Sequence, residues 1–63
     1  DANGLSKEDR LTIQRTLSSR GYDIGTIDGV IGAKTEAAIS DFQRAQGLTV
    51  TGTASTDVLA RLR

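Results

Sequence analysis

Few residues of this 63-residue chain are of types that carry a reaction. There is no His and no Cys, so the imidazole and thiolate groups behind most nucleophilic catalysis and most zinc sites are missing. No Ser stands in a nucleophile elbow. The eight Asp and Glu residues fall mostly at capping, turn or helix-surface positions. A glycosidase-type carboxylate pair would need one acid in a pocket that raises its pKa, and the pattern offers none. The sequence therefore predicts a non-catalytic domain with no cofactor.

Asp28-Gly29 could suggest calcium. With Gly29 at the sixth position of an EF-hand loop, however, Ile24, Thr26 and Thr35 would take the first, third and twelfth positions, leaving Asp28 as the only carboxylate. No metal site is expected. Asp28 is better used in fixing a turn, by accepting backbone N–H bonds from the residues that follow it. Gln14 and Gln43 sit beside the apolar positions Ile13 and Phe42. Such long buried amides can brace loop N–H and C=O groups that helices leave unpaired. Thr35 also reads as a local backbone or packing residue as well as a possible contact. The sharpest binding signal is the segment Gly32-Ala33-Lys34, where a helix is expected to begin. Free N–H groups, the positive end of the helix dipole and an ammonium would converge there and favour an anion.

Three amphipathic segments must position these groups. Ser6, with Asp9 three residues on, has capping-box spacing, and Glu8 and Asp9 suit the first turn of a helix running to about Ser19. Ile13 and Leu17 form its apolar pair, extended by Leu5 and the stem of Arg10, and Gly21 supplies a left-handed stop. Residues 21–32, GYDIGTIDGVIG, hold too many glycines for a helix and too many apolar residues for a solvated linker, so an ordered loop is expected. A second helix should span Ala33 to Gln46, because Thr35, Ala38, Ile39 and Phe42 match the i, i+3, i+4, i+7 template. Gly47 closes it. Ser55 or Thr56 can cap a third helix through about Leu62, with Val58, Leu59 and Leu62 on one face. A weak internal repeat runs through this layout: Ile27-Asp28-Gly29 before Thr35 and Ile39 is echoed, two residues shorter, by Val50-Thr51-Gly52 before Thr56 and Leu59.

The expected core is Ile13, Leu17, Ile27, Ile31, Ala38, Ile39, Phe42, Leu48, Val50, Leu59 and Leu62. Residues 1–5 read as a linker end or cloning remnant, with the domain over 6–63. Eight Lys and Arg balance eight Asp and Glu, and the basic residues are dispersed, which argues against a nucleic-acid partner. No apolar run approaches a membrane span, so this segment is not expected to insert.

The string from Ile13 to Gly52 resembles the peptidoglycan-binding domain found at the ends of many bacterial wall hydrolases and, in divergent form, in matrix metalloproteinase propeptides. The elements that carry the likeness are Ile13-Gln14, Leu17, Gly21-Tyr22, Asp28-Gly29, Gly32, Thr35, Ala38-Ile39, Phe42-Gln43, Gly47-Leu48, Val50 and Gly52. The tail GTAS followed by DVLARLR is similar to the C-terminal module of periplasmic lytic murein transglycosylases of the membrane-bound B type. It departs from that subgroup at Thr51, where Asp is frequent, and at Thr53, where an aromatic residue is frequent.

The resemblance implies an all-α, small orthogonal three-helix bundle with two Gly-rich ordered loops. It also implies a monomeric module of the bacterial periplasm or cell envelope, covalently linked to a catalytic domain. Its ligand would be peptidoglycan, through the stem peptide, the glycan or both. Peptidoglycan stem peptides carry free carboxylates, so the anion-favouring segment gains a candidate ligand. The expected binding residues are Tyr22, Asp28, Gly32, Ala33, Lys34 and Thr35, with Tyr22 packing on peptide or sugar. The rival reading is a protein-docking or prodomain-like module of an envelope enzyme; a helical DNA-binding domain is disfavoured by the zero net charge.

Overall fold

Helix α1 (Lys7–Ser19) begins where its polar residues can satisfy the free N–H groups of a first turn. Ser6 Oγ accepts from Asp9 N at 3.2 Å and Asp9 Oδ2 accepts from Ser6 N at 3.1 Å, a complete capping box. The computed structural model describes residues 4–63. Residues 1–3 of the stretch read as a linker lie outside the described residues.

Both longer helices end by the same device. At the end of α1, Gly21 N donates to Ser18 O and Tyr22 N to Leu17 O; at the end of α2 (Ala33–Ala45), Gly47 N donates to Arg44 O and Leu48 N to Gln43 O. These are Schellman motifs, with the glycine in the left-handed region at C′. They turn Tyr22 and Leu48 back toward the helix just left, where both are half-buried. Helix α3 (Thr56–Leu62) is capped by Ser55, whose Oγ accepts from Val58 N at 3.3 Å.

Helix α1 packs on both partners, more extensively on α3. The core contains Ile13 and Leu17 of α1, Ala38, Ile39 and Phe42 of α2, and Val58, Leu59 and Leu62 of α3. The Arg20 guanidinium stands 5.3 Å from the centroid of the Phe42 ring, a cation–π contact. The loops contribute Leu5, Ile24 and Ala54 to the same cluster. The radius of gyration is 10.1 Å, close to the about 10.6 Å expected of a folded chain of this length. The two connections are therefore part of the packed body.

The all-α, three-helix expectation holds, with no strand among the described residues. The expected core needs correction at Ile27 and Val50, which are 41% and 44% exposed. Each directly precedes a corner whose N–H groups turn inward to a buried glutamine, so backbone rather than side chain meets the interior there. Ile31 is half-buried against the core and Leu48 is half-buried. The core also includes Leu5, Ile24, Ala54 and Val58, which the expected set leaves out.

Candidate functional site

The site is built around one side chain. Gln14 is fully buried on α1, and its Oε1 accepts from Asp28 N at 3.1 Å and from Gly29 N at 2.7 Å. Its Nε2 donates to Val30 O at 2.9 Å, with longer contacts to Thr26 O and Thr35 Oγ1. A single amide thus satisfies inward-facing donors and acceptors of a loop that has no helix or sheet to pair with. Asp28 Oδ1 accepts from Val30 N at 2.9 Å, the Asx turn expected of Asp-Gly. Arg10 Nε closes the corner from outside by donating to Gly29 O at 2.7 Å.

The backbone at this corner favours Gly29, and a larger residue would also press on a flexible neighbour. Its φ is +78°, and a Cβ there would stand 3.0 Å from Lys7 Cγ.

The second corner repeats the arrangement. Gln43 Oε1 accepts from Thr51 N at 2.9 Å and Gly52 N at 3.0 Å, and its Nε2 donates to Thr51 Oγ1 at 3.0 Å. Thr51 Oγ1 also accepts from Thr53 N at 3.3 Å, so the hydroxyl occupies the place that the Asp28 carboxylate takes in the first corner. The internal repeat is real at the turns and in the burial of Ile39 and Leu59, but breaks at the threonines. Thr35 is buried in the third position of α2, whereas Thr56 is exposed in the first position of α3.

Folding the first loop against the start of α2 leaves an open groove of about 410 Å³. Of the residues expected to bind, Asp28, Gly32, Ala33, Lys34 and Thr35 all line it. Tyr22 does not line it; it lies one turn earlier, partly packed on the core. The groove also takes in Ile24, Gly25, Thr26 and Val30, which the sequence reading did not single out. The apolar-rich, glycine-punctuated loop was legible, but which of its side chains would face the start of α2 depends on how Gln14 gathers it.

The residues in the groove have distinct jobs. Thr35 is 1% exposed, and its Oγ1 donates to Ile24 O at 3.5 Å, so its side chain is a brace. Gly32 is the N-cap of α2 and has no side chain to cap it. The first-turn N–H groups and the positive end of the helix dipole therefore open onto the groove. Lys34 Nζ lies 3.6 Å from Asp23 Oδ2, with both side chains largely exposed. Such a surface pair is weak. Val30 is 66% exposed at the margin, the most exposed large apolar residue described. Together these features supply an anion-accepting end, an exchangeable ammonium and an apolar lip.

At the second corner a smaller recess of about 210 Å³ is lined by Thr49, Thr51, Ser55 and Asp57 among others, with no Lys or Arg. No group of three or more potential metal ligands occurs among the described residues. No helix among them is long and apolar enough to cross a membrane.

Comparison with known proteins agrees with this architecture. The family model described as "Putative peptidoglycan binding domain" matches residues 6–62. A solved structure of SltB3 from Pseudomonas aeruginosa, in complex with NAG-anhNAM-pentapeptide, superposes with a TM-score of 0.87 at 42% identity. That match covers 94% of this chain and 16% of SltB3. A 43-residue segment, 68% of this chain, is 44% identical to "Putative OxPP cycle protein OpcA" of Synechocystis sp. and covers 9% of it. The chain thus spans a small part of the length of each relative.

Proposed function

Because this chain belongs to the peptidoglycan-binding domain family, we propose that it is a non-catalytic module that holds a covalently linked cell-wall hydrolase, of lytic murein transglycosylase type, on murein. The observation that carries this reading is the groove between the Gln14-braced loop and the uncapped start of α2. A stem-peptide carboxylate docks at the N–H groups of the Gly32-Ala33-Lys34 segment and exchanges with Asp23 for the Lys34 ammonium. Asp28 and Val30 flank the bound chain, and Tyr22 packs on peptide or sugar farther along.

The likeness to SltB3, solved in complex with NAG-anhNAM-pentapeptide, supports the choice of ligand. An open, solvent-filled groove gives modest affinity. That is sufficient for a tethered module, whose role is to raise the local concentration of the enzyme at a polymeric substrate. The domain acts as a monomer in the bacterial periplasm or cell envelope.

A protein-docking role is the second reading. It is favoured by the identity with a segment of a protein named for the OxPP cycle rather than for the wall. Co-sedimentation separates the two. The wall-binding reading expects the purified domain to pellet with insoluble murein sacculi. A domain that stays in the supernatant with sacculi yet binds an isolated catalytic domain establishes the docking role instead.

A further inference from the structure

We propose that Asp28-Gly29 is a latent isomerisation site, held in its aspartyl form by the hydrogen bond from Gly29 N to Gln14 Oε1. The pairing of a carboxyl side chain with a following glycine is the arrangement that closes most readily to a succinimide, because glycine has no Cβ to hinder approach to its own nitrogen. Asp28 is exposed to water, which the reaction needs.

The step balances without any co-reactant except water. Gly29 N loses its proton to solvent and attacks Cγ of the protonated Asp28 carboxyl; a C–N bond forms, a C–O bond breaks, and one water leaves. Water then adds to one of the two imide carbonyls. Opening at Cγ restores aspartate. Opening at the α-carbonyl breaks its bond to Gly29 N and leaves isoaspartate, with the main chain running through Cγ and lengthened by one methylene.

Two bonds oppose ring closure. The attacking nitrogen is buried, and its proton is committed at 2.7 Å to Gln14 Oε1. The carboxyl is held the other way, its Oδ1 accepting from Val30 N at 2.9 Å. The second corner is an internal comparison. Thr51-Gly52 has the same glutamine brace but no carboxyl to close a ring, so this chemistry is confined to the first corner. Isomerisation would lengthen the backbone between the Asp28 and Gly29 nitrogens and pull them off a common acceptor. That would reshape the groove, and on the wall-binding reading would weaken sacculus binding.

The test is peptide mapping of the whole chain after prolonged incubation, with isoaspartate at position 28 resolved by chromatography and fragmentation. This readout is independent of wall binding, so the proposal and the functional reading can fail separately. Wild type should isomerise at least about tenfold more slowly in native buffer than in concentrated urea. Gln14→Leu that remains folded by circular dichroism should lose most of that protection. A folded Gln14→Leu variant as resistant as wild type overturns the proposal. Should Gln14→Leu fail to fold, Asp28→Asn decides, because it keeps Gln14 and the Oδ1 acceptor and reports ring closure as deamidation. Deamidation at least about tenfold slower in native buffer than in urea supports the proposal, and equal rates overturn it.

Discussion

Gln14 and Gln43 perform the same task on consecutive helices: the side-chain oxygen of each receives two successive loop N–H groups, at 3.1 and 2.7 Å for Gln14 and at 2.9 and 3.0 Å for Gln43. Two of the N–H donors belong to Gly29 and Gly52, both in the left-handed region. With no Cys in the chain to form a disulfide, and no group of three or more potential metal ligands among the described residues, two connections are locked by buried amides. Removing either leaves two successive loop N–H groups without their acceptor.

Gln14→Leu should therefore destabilise the fold by about 2–4 kcal/mol, from inward-facing N–H groups left without an acceptor. Gln43→Leu should cost less, about 1–3 kcal/mol, because its corner lies nearer solvent. Urea unfolding followed by circular dichroism measures both, and the ranking is the prediction.

Gly52→Ala should cost about 1–2 kcal/mol from the positive φ alone. A further penalty comes from a Cβ placed 2.8 Å from Ser40 Oγ. Combining it with Ser40→Ala should recover the steric part and leave the backbone part. A double-mutant cycle in urea should therefore show a favourable coupling, with the double variant still less stable than wild type.

The capping box makes a separate prediction. Ser6→Ala removes an acceptor for Asp9 N and should lower stability by about 1 kcal/mol. Ser55→Ala, which uncaps the shorter α3 at Val58 N, should act in the same direction.

Much of this was legible in the residues because helices announce themselves locally. Ser6 and Asp9 fixed the start of α1, Gly21 and Gly47 the ends of α1 and α2, and the spacing of Thr35, Ala38, Ile39 and Phe42 the buried face of α2. The glutamine braces and the Asx turn at Asp28 could also be anticipated, since Asp-Gly needs its N–H groups satisfied and a buried amide is suited to do so. Loops have no period, and that is where the reading was wrong. Ile27 and Val50 look like core residues, yet they sit before inward-turned backbone and remain exposed. Val30, equally apolar, became the lip of a groove. Its direction follows from Gln14 Nε2 holding Val30 O, a contact between residues far apart in sequence that no local pattern encodes.

That position gives a prediction separating stability from binding. Val30→Ser replaces an exposed side chain and should change unfolding free energy by less than about 0.5 kcal/mol. Its retention on murein sacculi should fall. Phe42→Ala, by contrast, empties the centre of the core and should cost about 3–5 kcal/mol, enough to abolish folding and binding together.

The proposed role requires the groove at the start of α2 to receive a peptidoglycan fragment. Titrating the labelled domain with a soluble, stem-peptide-bearing muropeptide and following amide chemical shifts tests it most directly. Saturable shifts should concentrate at residues 22–35, led by the Ala33 and Lys34 amides and reduced in Lys34→Glu. Saturation with shifts confined to another face, or none at those residues at concentrations that retain the domain on sacculi, would contradict it.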